Sequence, residues 1–192
     1  MKYYQNLHTH STYCDGMDSI EGMIQKAIGL GFDSVGFSGH SYMFYAPDHS
    51  MSVAGTEEYK KEVRAMKEKY KGQIEIFCGL EFDMYSEIDL TGYDYLIGAA
   101  HYLLIDGKHV GFDRTAPVVA GIIRDYFGGD GMKYAKAYYE TLVQLPNFAK
   151  TDILGHADLI CGEKTASQLQ GLVDVVSVSL NAPNGARYDE IC

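Results

Sequence analysis

Ile74-Glu75-Ile76-Phe77-Cys78-Gly79-Leu80-Glu81 is an apolar run that follows a glycine at 72 and ends on a carboxylate. Its length and β-branched, aromatic content read as a buried strand. The same pattern recurs on both sides. Downstream, residues 93–101 (Tyr-Asp-Tyr-Leu-Ile-Gly-Ala-Ala-His) finish on His101, and residues 150–159 carry Ile-Leu-Gly-His and close on His156. Upstream, residues 32–41 run through Val35-Gly36-Phe37 to His40. Nearest the start, Asn6-Leu7-His8-Thr9-His10 precedes Ser11-Thr12-Tyr13-Cys14-Asp15-Gly16. In extended chain, residues i and i+2 share a side, so His8 and His10 present both imidazoles together while the Asp15-Gly16 turn brings a carboxylate back to them.

Helical patterns separate these strands. Asp18 and Glu21 look like a capping box ahead of Met23, Ile24, Ala27 and Ile28, with Gly31 as the stop. A second helix is expected from about Thr56, with Tyr59, Val63, Met66 and Tyr70 at core spacing. Two more are expected at 116–127 and 132–145, joined by Gly128-Gly129-Asp130-Gly131. That glycine-rich turn follows a helix and lacks a Lys-Ser/Thr, so it is not a phosphate loop. Strand–helix alternation implies parallel strands with helical crossovers, and a β/α barrel gathers the strand C-termini at one mouth. The fold class is therefore α/β, an incomplete barrel with about five to six strands. From 162 the character changes: a short helix over 163–171, a sixth strand over 173–180 and a polar tail.

A chain of 192 residues with 46% apolar content fits one domain with a real core. Its formal net charge of -10 argues against nucleic-acid binding, which needs basic patches. Cys14, Cys78, Cys161 and Cys192 are far apart and read as free thiols of a reducing compartment. No signal peptide or membrane-length apolar run is evident, so a cytoplasmic location is expected.

His8, His10, Asp15, His40, Glu81, His101 and His156 exceed the protein ligands one zinc ion takes. They fit two or three divalent ions (Zn, Mn or Fe) with Glu81 as a bridging carboxylate. His49 and His109 fall in polar stretches and are expected at the surface; Arg114 and Arg124 could reach phosphate, but surface ion pairing is the expectation for each.

These motifs resemble the PHP superfamily of metallophosphoesterases, and within it the histidinol-phosphatase branch. The resemblance rests on His8-Thr9-His10 with Asp15-Gly16, Ser38-Gly39-His40-Ser41, Gly79-Leu80-Glu81, 97–102 and Gly155-His156-Ala157-Asp158-Leu159. It implies a distorted seven-stranded β/α barrel with a trinuclear centre. His8, His10 and Glu81 would hold the first ion, Glu81, His101 and His156 the second, Asp15 and His40 the third. A metal-activated hydroxide would hydrolyse L-histidinol phosphate. The family pattern ends with an Asp-x-His pair on the last strand, whereas no histidine follows His156. The tail from 174 instead resembles radical-SAM proteins. The expectation is a truncated PHP domain over 1–161 with an atypical segment over 162–192. Two alternatives stand beside the phosphatase: a PHP phosphoesterase acting on nucleotides or nucleic acid, and an impaired metal-binding remnant.

Overall fold

The computed structural model describes residues 3–112, 114–145, 151–156 and 176–177. The expected domain boundary at 161, the helix over 163–171 and the polar tail lie outside these residues.

Six parallel strands form one curled sheet in the order β1-β2-β3-β4-β7-β8. They are β1 (Gln5–Asn6), β2 (Ser34–Phe37), β3 (Glu75–Asp83), β4 (Tyr95–Ala99), β7 (Ile153–Gly155) and β8 (Val176–Ser177). The sheet is an open half-barrel: among the described residues β1 and β8 pair with no further strand. Within this sheet the strands follow one another in chain order. The register sets Ser34 against Glu75 and Glu81 against Ile97, so the strand ends advance together towards one rim.

Helices α1 (Ile20–Gly29) and α2 (Val53–Lys69) cover the outer face of the first strands, burying Ile20, Ile24 and Ala27 from one and Thr56, Tyr59 and Val63 from the other. The cap of α1 is Ser19, whose hydroxyl accepts from the Gly22 N–H, not Asp18 as the sequence pattern implied. Likewise α2 begins earlier than Thr56, because Ser52 caps it by accepting from Gly55 N–H. In both cases the serine competes locally for the orphan N–H groups of the first turn. Tyr59 is fully buried and shares its one hydroxyl proton between the Phe37 and Gly79 carbonyls (2.6 and 2.8 Å), tying α2 to β2 and β3. Helices α3 (Ala116–Phe127) and α4 (Gly131–Leu142) follow, and Asp130 caps the second by accepting from Met132 and Lys133.

One element was not anticipated. Strands β5 (Tyr102–Ile105) and β6 (Lys108–Gly111) form an antiparallel hairpin directly after β4. Its turn is Asp106-Gly107 with φ of 49° and 75°, the positive-φ pair a two-residue hairpin turn demands. The Asp-Gly dipeptide between short apolar runs was the signal. It places His109 on a strand rather than in the polar loop expected. The fifth barrel strand is also shorter than the 150–159 pattern: the described part is Ile153–Gly155, and His156 follows in a left-handed conformation (φ 52°).

Candidate metal centre

Every strand of the half-barrel up to β7 delivers a side chain to one point. His8 and His10 sit on the extended segment after β1, their rings stacked with centroids 5.4 Å apart. The turn that follows folds back tightly: a Cβ on Gly16 would sit 2.5 Å from Ser11 N and closer still to the His10 carbonyl. Only glycine permits the approach that carries Asp15 to His10. His40 extends β2 alongside β3, where it bridges to Glu81 while Ser41 N–H donates to the Glu81 carbonyl at 2.9 Å. His101 follows β4, and His156 follows β7 with its carbonyl taken by the Tyr138 hydroxyl.

At the centre is Glu81, with no exposed surface. Its Oε1 faces His8 Nε2 (3.2 Å), His101 Nε2 (3.3 Å) and His156 Nε2 (2.9 Å). Its Oε2 faces His10 Nε2 and His40 Nδ1, each at 3.0 Å. Asp15 stands on the far side of this second group, 2.8 Å from His10 Nδ1 and 3.5 Å from His40 Nε2. All seven side chains picked out in the sequence are thus together. His8 and His10 approach different oxygens of Glu81, His8 facing Oε1 and His10 facing Oε2.

The donor set fits cations. Glu81 Oε1, Glu81 Oε2 and His40 Nδ1 are buried yet have no hydrogen-bond partner among the described residues. Ring nitrogens and carboxylate oxygens converge at about 3 Å without the alignment of hydrogen bonds, a costly arrangement for buried polar atoms unless an ion joins them. Two triads, His8/Glu81/His156 and His10/His40/Glu81, each offer ligand atoms within 4.8 Å of one another. A third, His10/Cys14/Asp15, brings in Cys14, whose Sγ lies 3.7 Å from His10 Nδ1.

The electrostatics have a definite sign. Burial opposes charge on His101, but the Glu81 carboxylate and the Asp83 hydrogen bond outweigh it and hold its pKa up at about 10. Burial likewise opposes charge on His10, where its contacts with Asp15, Cys14 and the Glu81 carboxylate push the pKa up to about 12. For Glu81 burial works against ionisation, yet the His40 and His101 charges hold it well below the carboxylate range. Raised histidine pKa values give stability that is complete below the ordinary 6.5 and lost as pH climbs through about 10. The lowered Glu81 value gives stability present above the ordinary 4.5 and lost as pH falls below it. The metal-free protein is therefore expected to be most stable between these two ordinary values and to weaken at alkaline pH. Cations must displace the histidine protons, so zinc binding at pH 6.5 should release protons and tighten as pH rises. Calorimetry in buffers of different ionisation enthalpy checks this; binding without proton release would contradict it.

A cleft of about 210 Å³ opens over Asp15, His40 and His101, walled by Met43, His49, Tyr102, Gly111 and Arg114. Three residues here stand differently from the sequence reading. Arg114 lines the cleft with no ion pair among the described residues, whereas Arg124 pairs with Asp125 at 2.7 Å as expected. His49 is exposed as expected, but on the cleft wall. Asp83 lies two residues past Glu81 on the same face of β3 and contacts His101; the Glu-x-Asp spacing at the strand end was the available signal.

The sequence matches the PHP domain family over residues 6–181. The chain belongs to the PHP domain family. Within it, this PHP domain is 26% identical over 211 residues to the histidinol-phosphatase of Bacillus subtilis, covering 95% of this chain and 78% of that protein. It is 25% identical to a protein assigned as a histidinol-phosphatase in Deinococcus radiodurans, of which it spans 59%. Among solved structures, a protein assigned as a histidinol phosphatase from Listeria monocytogenes superposes with a TM-score of 0.69 at 22% identity, over 89% of this chain and 71% of that one. The histidinol phosphate phosphatase of Lactococcus lactis superposes with a TM-score of 0.56 at 20% identity, over 99% and 66%. These two likenesses establish the PHP barrel as the fold. No helix among the described residues is long and apolar enough to cross a membrane.

Proposed function

We propose that this PHP domain is a metal-dependent phosphomonoesterase acting on L-histidinol phosphate, releasing L-histidinol and phosphate. The observation that carries this reading is the convergence of His8, His10, His40, His101 and His156 on the buried Glu81 carboxylate beneath an open cleft. Relatives named histidinol-phosphatase support the substrate, as does the fold of the Lactococcus protein, whose crystals contained Zn, L-histidinol and phosphate. Glu81 with the five histidines, and Asp15 on the cleft side, would hold two to three divalent ions, Zn, Mn or Fe by their N/O chemistry. Such ions polarise a phosphoryl group and activate water at neutral pH.

The chain's own part is placement and charge. Glu81 balances the cationic cluster from a position water cannot reach, which keeps its field undiluted. Arg114, on the cleft wall without an acidic partner among the described residues, offers a planar fork of donors to phosphate oxygens. Arg114→Ala is expected to raise KM for the phosphoester and the inhibition constant of inorganic phosphate by about 10- to 100-fold, the size of a lost charged hydrogen bond. Arg124→Ala, already paired to Asp125, should change neither.

The test is phosphate release from L-histidinol phosphate against a nucleotide panel, with Mn, Zn or Fe added and bound metal counted. Faster turnover of nucleotides would replace the substrate. The net charge of -10 already disfavours nucleic acid. Two or more tightly held ions favour an enzyme, whereas one ion or none would favour the remnant.

A further inference from the structure

Asp83 is 1% exposed, and as an acidic residue on the site face of β3 it invites assignment as another metal ligand. Its hydrogen bonds exclude that. Oδ1 accepts from the Tyr45 hydroxyl at 2.5 Å and from Tyr85 N–H at 3.1 Å. Oδ2 accepts from His101 N–H at 3.0 Å and faces His101 Nδ1 at 3.2 Å. A carboxylate has roughly four lone-pair sites, and all are engaged. The same Oδ2 that meets the ring also holds the backbone of the residue, which orients the imidazole at both ends. With Nδ1 carrying the proton towards Asp83, the lone pair of Nε2 points to Glu81, 3.3 Å away.

The chain of contacts runs further out. Tyr45 comes from the segment between β2 and α2, and the His109 ring from β6 lies flat on it, with centroids 3.9 Å apart and planes 6° apart. Phe44 and Tyr85 pack edge-on against His109, each at 5.4 Å, and Tyr102 packs against Tyr45 at 4.9 Å. The hydroxyl is thus held on Asp83 by a clamp built from the hairpin. This also accounts for a histidine that sits far from the centre yet is packed in an aromatic nest.

We propose that Asp83 and Tyr45 are positioning residues of the metal centre: Asp83 sets the tautomer and direction of His101, and Tyr45, clamped by His109, holds Asp83. The proposal rests on the metal-centre reading above. It assigns the hairpin a role in that centre, although no hairpin side chain reaches Glu81 among the contacts described.

The experiment measures zinc dissociation constants by competition with a chromophoric chelator for the wild type, Asp83→Ala, Asp83→Asn and Tyr45→Phe. Melting of each chelated protein is followed in parallel, together with the visible spectrum after cobalt loading. Asp83→Ala should weaken zinc binding by about 10- to 100-fold, the usual cost of removing the carboxylate behind a ligating histidine. Asp83→Asn, which can still accept from Nδ1–H, should recover part of that loss. Tyr45→Phe, which keeps the stack on His109, should weaken binding by about tenfold or less and alter the cobalt bands. Should the alanine variant fail to fold, the two near-isosteric variants decide the matter. Variants that melt lower but bind zinc as tightly as wild type would reduce both residues to structural support and overturn the proposal. A wild-type protein that binds no zinc would overturn the metal-centre reading instead.

Discussion

Replacing Glu81 with glutamine is expected to empty the site and abolish phosphatase activity, with a loss well beyond the ~100-fold that a supporting residue alone can cost. The reason is its position: both oxygens are buried and face five imidazoles at 2.9–3.3 Å, so one substitution removes the charge shared by the whole cluster. An amide offers one weak acceptor oxygen and two N–H donors, which would point at ring nitrogens or cations. Stability should also fall in the metal-free protein. Histidines held charged by Glu81 lose their counter-ion, and breaking a buried pair from one side costs about 3–5 kcal/mol. Metal analysis and denaturant unfolding of the chelated variant check the two effects separately. A Glu81→Gln protein that retained its metal would contradict the arrangement.

The second large effect is expected at Gly79. The Tyr95 ring lies across the inner face of β3, and a Cβ on Gly79 would overlap it, with two ring carbons at 2.5 Å. Gly36 on the next strand gives the same ring its room, since a Cβ there would press on Tyr95 and, at 2.8 Å, on Leu7. Tyr95 cannot swing aside cheaply, because its hydroxyl donates to the Leu7 carbonyl at 2.5 Å, immediately before His8. Gly79→Ala should therefore destabilise by about 1–3 kcal/mol, as overpacked cores do, and lower Tm by about 2–12 °C. It should also weaken metal binding, because the displaced tyrosine releases the segment that carries His8 and His10. Thermal melting and zinc titration of Gly79→Ala test this; an unchanged Tm would show that Tyr95 does not anchor that segment.

Much of this was legible beforehand because strand chemistry is local. An apolar run such as 74–81 is a strand whatever surrounds it, and a polar residue at its end falls at the rim of any parallel barrel. That logic, with the Asp15-Gly16 turn after His10, picked out the seven candidate ligands, and strand–helix alternation gave the α/β class. Boundaries were less legible: Ser19 and Ser52, rather than Asp18 and Thr56, start α1 and α2, because several neighbouring residues can satisfy the same N–H groups. The hairpin was missed because Leu103-Leu104-Ile105 is too short to declare a period, although Asp106-Gly107 marked its turn.

The amino-acid sequence by itself determined which elements form and which side chains stand at their ends, since periodicity and turn chemistry act within a few residues. Tertiary structure decided the rest. It split five imidazoles between the two oxygens of Glu81, placed Arg114 on the cleft wall while Arg124 pairs with Asp125, and filled every lone pair of Asp83 from Tyr45, Tyr85 and His101. Most of these outcomes join residues far apart in the chain, at separations of about 3 Å. Only the packed barrel sets such distances, so no local pattern could have announced them.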